Sequence, residues 1–167
     1  MSRPPSPEPV DGTGLARAVH RCRVEWMDTD AAGHHHNTAV VRYVEAAEAE
    51  LMRACGVTGY FGAAPRVRYE ADFTAPLWFG QEVTTVLAVE RVGTSSVTFR
   101  FEVWGEPTDR GPRQLAASGR YVAVHVPRGR RESAPWPEEW VTAWREFATH
   151  LTPAPEPVTS GRATVRS

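Results

Sequence analysis

Twelve consecutive residues, Trp26-Met27-Asp28-Thr29-Asp30-Ala31-Ala32-Gly33-His34-His35-His36-Asn37, carry two carboxylates, three imidazoles and a glycine. Carboxylates and imidazoles are the side chains that most often exchange protons with reacting groups. A helical pattern begins directly after the cluster. The first amide N–H groups of a helix have no partner one turn back, and the helix end carries a partial positive charge. Such an end can hold an anion and polarise a carbonyl oxygen. The acids therefore stand at the mouth of a helix that can supply electrostatic help without any side chain. Gly33 suits a positive φ or a close approach to a ligand. Neighbouring residues in an extended segment point to opposite sides, so the three histidines do not converge easily on one ion. No metal and no cofactor are expected.

The elements that must position this cluster follow from periodicity. Val19 to Met27 alternates as a strand, with His20, Cys22, Val24 and Trp26 on one face and Arg21, Arg23 and Glu25 on the other. Thr38 to Cys55 reads as one long helix with Val40, Val44, Ala47, Leu51 and Ala54 as its apolar stripe. Asn37 is the expected N-cap and Gly56 the expected stop. Arg42, Glu45, Glu48, Glu50 and Arg53 are expected to form a solvated flank. The small residues Ala46, Ala47 and Ala49 would let a sheet approach closely. Further along, Val67, Tyr69, Ala71 and Phe73 alternate with Arg66, Arg68, Glu70 and Asp72, and a turn spans residues 75–80. Glu82 to Val92 and Ser95 to Trp104 form the expected hairpin around Gly93-Thr94, with Val97, Phe99, Phe101 and Val103 on one face. Leu115 to Val126 is the last expected strand, and Trp136 to Phe147 an amphipathic helix with Trp140, Trp144 and Phe147 inward. A strand, a long helix and then four strands in series indicate an α+β fold.

Length and composition bound the rest. The chain has 167 residues, enough for one ordinary domain. Residues 1–15 and 151–167 are expected to be disordered, because they offer little apolar surface to offset the ordering entropy. Residues 16–150 are the expected domain. A net charge of -1 gives no global case for nucleic acid or an anionic membrane. Cys22 and Cys55 are too few and too far apart for a disulfide framework or a cysteine metal site. No apolar run reaches transmembrane length, and residues 2–9 have no apolar core that would read as a secretory signal. A cytoplasmic protein is expected.

The run Asp28-Thr29-Asp30-Ala31-Ala32-Gly33-His34, the helix with Tyr43 and Glu45 after Asn37, and Tyr69-Glu70-Ala71-Asp72-Phe73 with Pro76-Leu77 and Gly80 carry a resemblance. Together they resemble the hotdog-fold thioesterases of the 4-hydroxybenzoyl-CoA thioesterase group. That resemblance implies a hotdog fold, a long central helix wrapped by a mainly antiparallel five-stranded sheet. It implies homodimers that often pair again into tetramers, with active sites at the subunit interface. It places the catalytic carboxylate on Asp30, as general base or nucleophile, and the polarising amides on His36 and Asn37. Where the family often has Asn, this chain has His36.

The implied substrate is an acyl-CoA or an acyl-carrier-protein thioester, hydrolysed to a free carboxylic acid. The plainer reading of Asp30 is a turn or helix cap, and Asp28 is read as structural. Gly33 and His34 are candidate pocket residues. Glu45 either faces the pocket or pairs with Arg42 or Arg53. Ser95 and Ser96 either bond a pantetheine arm or sit at a hairpin edge. Arg128, Arg130 and Arg131 either meet phosphates or an acidic carrier, or form a solvated basic turn. Two other functions remain open. One is a hotdog enoyl-thioester hydratase or dehydratase, which the Asp30-to-His35 spacing suggests; the other is a non-catalytic acyl-thioester-binding protein.

Overall fold

The computed structural model describes residues 15–147. The disorder expected of residues 1–14 and 151–167 falls outside the described residues, as does the expected domain end at 148–150. The elements are β1 (Arg17–Arg23), a 3-10 turn (Trp26–Asp28), α1 (Asn37–Ala54), β2 (Arg66–Phe73), β3 (Glu82–Val92), β4 (Ser96–Gly105), β5 (Gln114–Val124) and α2 (Glu138–Glu146). The strands form one sheet in the order β1-β3-β4-β5-β2, and every neighbouring pair is antiparallel.

Alternation along β3, β4 and β5 puts one face against α1. Leu87, Val89, Val97, Phe99, Phe101, Val103, Ala117 and Tyr121 are buried there. From the helix come Val40, Val44, Ala47 and Leu51 at spacings of four, three and four. Burying one such Val, Leu or Phe contributes about 1.5–3 kcal/mol. Ala47 lets the sheet come close, as its size suggests. Ala54, at the helix C-terminus, is exposed and drops out of the stripe. Gly56 adopts φ 68° just past the helix, the left-handed stop that glycine takes without strain. At the far end α2 buries Trp140 and Trp144, which pack with Tyr60 and Trp136.

Three strand and helix expectations need correction. β1 ends at Arg23, and the chain then turns so that Trp26 is 80% exposed and Met27 74%. The alternation had placed Trp26 inward. The second concerns β2, which carries a bulge between Arg66 and Arg68: Arg66 pairs with Ala123 and Arg68 with the adjacent Val122. An extra residue in one strand reverses the alternation beyond it. Val67 is therefore 61% exposed and Arg66 swings to the helix side, over the ring of Tyr121. The third is Glu48, which is buried rather than solvated. It accepts from Tyr60 Oη at 2.8 Å and pairs with Arg66. A buried carboxylate is tolerated because these donors replace its water.

Candidate active site

The acids and histidines form a small hairpin that ends in α1. The His36 amide N–H donates to the Asp28 carbonyl (2.8 Å), Thr29 bridges His35, and the Asp30 N–H donates to the His34 carbonyl (3.2 Å). Gly33 closes the turn with φ 81°, donating to the Asp30 carbonyl at 3.0 Å. That is the positive φ expected of this glycine. A second line of contacts fastens the hairpin to the segment after β2. His34 bridges Trp78, and the His35 N–H donates to the Leu77 carbonyl at 2.8 Å.

Asp28 and Asp30 have opposite environments. Asp28 is buried and accepts from the Glu25 N–H (2.8 Å) and from Arg42 through Nε (3.0 Å) and Nη2 (2.5 Å). Burial acts to raise its pKa. The Arg42 guanidinium and the Glu25 amide outweigh burial and hold the carboxyl below its ordinary value. Its structural reading fits this geometry, and Arg42 is an anchor rather than part of a solvated flank. Asp30 is exposed. Its Oδ1 accepts the Ala32 N–H at 2.8 Å, a local turn bond that fixes the carboxyl direction.

The three imidazoles are bound to backbone in three directions. His34 Nδ1–H donates to the His35 carbonyl (3.0 Å), and its ring meets Trp78 edge to face. His35 is buried, and its Nδ1 accepts the Leu77 N–H at 2.9 Å. Burial, together with the neighbouring His34 and His36, lowers its pKa, so the ring stays neutral. Its Nε2 is buried with no partner among the described residues. Sequence reasoning weighed His35 only as one of the three consecutive histidines and through its spacing from Asp30. His36 is the actual N-cap of α1, and Asn37 is the first helical residue. No cluster of three metal-ligating side chains forms among the described residues.

Because the His36 amide donates to Asp28, it is not free to polarise a carbonyl. The Asn37 and Thr38 amides open the helix and have no carbonyl one turn back within it. The first turn of α1 contains no acid, so its partial positive charge is not neutralised by the helix itself.

The structure therefore gathers Asp30, Gly33, His34, His36 and Asn37 into one hairpin-to-helix corner. Glu45 lies two turns along α1, is exposed, and pairs with Arg66 at 2.8 Å rather than with Arg42 or Arg53. Ser95 and Ser96 stand at the other end of β3. At about 3.3 Å per residue, that strand separates them from the corner by roughly 30 Å.

Residues 24–144 match the family model described as the thioesterase-like superfamily. The chain belongs to this superfamily. It is a thioester hydrolase of the hotdog fold. No curated protein matches it. Among solved structures, 4-hydroxybenzoyl CoA thioesterase from Pseudomonas sp. strain CBS-3 is similar at 20% identity and TM-score 0.69, covering 77% of this chain and 99% of that one. A 1,4-dihydroxy-2-naphthoyl-CoA thioesterase from Synechocystis shows 21% identity and TM-score 0.68, covering 76% and 94%. A thioesterase complexed with coenzyme A and Zn from Thermus thermophilus shows 26% identity and TM-score 0.67, covering 80% and 95%. Among the described residues, no helix is long and apolar enough to cross a membrane.

Proposed function

We propose that this thioester hydrolase acts on acyl-CoA, releasing a free carboxylic acid and the thiol. One observation carries the reading: an exposed carboxylate, Asp30, sits on a braced hairpin beside a helix start whose first turn holds no acid. The thioester carbonyl oxygen takes its hydrogen bonds from the Asn37 and Thr38 amides, which stabilise the charge that develops on it. Asp30 acts on the carbonyl carbon in one of two balanced ways. As nucleophile it displaces the thiolate and forms an anhydride that water then opens; as general base it takes the proton of the attacking water. Coenzyme A is favoured as the carrier because two of the similar solved structures are named for CoA thioesters and one is complexed with coenzyme A.

The acting unit in this reading is a homodimer paired through β2. That strand is an edge of the sheet, where Val67, turned outward by the bulge, is 61% exposed and Phe73, at the strand end, 43%. An unpaired edge with apolar side chains invites a second strand. The Ser95-Ser96 hairpin, held at the far end of its own sheet, can meet the Asp30 corner only from a second copy.

The test is thiol release from a panel of short, long and aryl acyl-CoA thioesters, with Asp30→Asn alongside. The expected result is turnover on at least one member and loss of at least about a hundredfold in the variant, as for removal of a group acting at the reacting centre. Equal turnover in both proteins refutes the role of Asp30. Turnover confined to the same acyl groups on a carrier protein refutes the choice of CoA.

A further inference from the structure

We propose that the His36 side chain is the positioning residue of the carbonyl-polarising corner, tying the turn before Asp30 to the first turn of α1. The inference rests on the reading that the Asn37 and Thr38 amides polarise the thioester. It is carried by four hydrogen bonds that converge on one residue. His36 donates its backbone N–H to the Asp28 carbonyl (2.8 Å) and contacts the Met27 carbonyl through Nε2 (2.9 Å). On the other side of the ring, Nδ1 lies 3.1 Å from the Ala39 N–H and 2.7 Å from Thr38 Oγ1.

These partners decide the tautomer. A carbonyl only accepts, so Nε2 carries the proton; an amide N–H only donates, so Nδ1 carries a lone pair. One planar ring thus ties the turn that precedes Asp30 to the first turn of α1. An aspartate or asparagine cap has the helix amide within reach but lacks a rigid second end to hold the turn. The distance between the Asp30 hairpin and the Asn37 and Thr38 amides is set by this ring.

Steady-state kinetics test this in wild type, His36→Ala, His36→Asn and Asp30→Asn. Far-UV circular dichroism confirms that each variant is folded. At pH 8, His36→Ala is expected to lose about tenfold in kcat with KM nearly unchanged, less than the roughly hundredfold for removing an oxyanion donor outright. His36→Asn restores the acceptor for the helix amide but not the tie to the Met27 carbonyl, so it is expected to recover only part of the loss and to stay about threefold below wild type in kcat. Wild-type kcat in either His36→Ala or His36→Asn overturns the proposal while an inactive Asp30→Asn leaves the catalytic reading standing.

If Asp30→Asn turns over normally, that catalytic reading fails, and a second measurement decides the clamp on its own. In NMR hydrogen exchange of the full chain, the amides of Asp30 and Ala39 should exchange about tenfold faster in His36→Ala than in wild type. Unchanged exchange in His36→Ala overturns the clamp.

Discussion

Arg42→Met removes the side chain that neutralises Asp28 and leaves the rest of α1 in place. In wild type, Asp28 is buried and takes three charge-assisted or backbone bonds, two from Arg42 and one from the Glu25 N–H. After the substitution only the Glu25 amide remains of these three. Removing one partner of a buried pair costs about 3–5 kcal/mol, because the other charge is left unpaired. Arg42 is 46% exposed, so water screens part of the attraction and about 2–3 kcal/mol is the expected loss. For roughly 130 ordered residues, an unfolding entropy of about 2.1 cal/mol/K per residue makes 1 kcal/mol worth about 3.5 °C in Tm. Thermal melts at pH 7 should therefore show Arg42→Met about 7–11 °C below wild type. The pH dependence has a fixed sign. The folded-state pKa of Asp28 is depressed, so its contribution is present above the ordinary carboxyl pKa of about 3.9 and is lost as pH falls through the lower, folded value. The gap between the two proteins must close on going from about pH 5 to about pH 2. Arg42→Lys keeps the charge without the planar fork and should fall between them. A Tm difference under about 2 °C, or a gap that does not change with pH, refutes the view that this pair braces the hairpin.

Two further outcomes concern the same corner and the sheet edge. His35 is buried with a lowered pKa, so wild-type stability should fall as pH drops from about 7 to about 5, by at most about 1.4 kcal/mol per pH unit. His35→Leu should show a smaller slope in denaturant melts over that window, and identical slopes would contradict the burial argument. If the proposed β2-paired homodimer forms, Phe73→Asp, which places a charge on the exposed β2 edge, should give a monomer in sedimentation velocity, with turnover lost; an unchanged dimer would move the interface elsewhere.

Periodicity made most of the fold legible. The order of elements, the α1 span to within one residue at each end, the β3–β4 hairpin and the inward Trp140 and Trp144 all follow from it. Single-residue events were not legible. The bulge at Val67 leaves no composition signal, yet it turns Arg66 from the outer face to the helix face. Glu48 and Arg42 fell on the polar side of a helical wheel, which records hydrophobicity and not the location of counter-charges. Each is explained by a partner far along the chain: Tyr60 and Arg66 for Glu48, Asp28 for Arg42. The 3-10 turn that exposes Trp26 interrupts an alternation that continues without a break in the sequence.

The histidine run shows why residue type alone underdetermines a site. Three consecutive imidazoles suggest a metal or proton relay, but here each has a nitrogen bonded to backbone: His34 to a carbonyl, His35 to the Leu77 amide, and His36 to both a carbonyl and an amide. A ring nitrogen that carries a proton held by a carbonyl, or a lone pair held by an amide, is withdrawn from ligation and from proton exchange. The histidines are thus rigid spacers in a corner too tight for regular backbone pairing. Asp28 is likewise neutralised by Arg42. Asp30 is the acid of the hairpin that remains exposed, and its one local bond aims it without discharging it. On the proposed reading the reactivity of the corner follows by subtraction: Asp28 is held by Arg42 and each imidazole has a nitrogen held by backbone, so the fold leaves one exposed carboxylate at the start of α1.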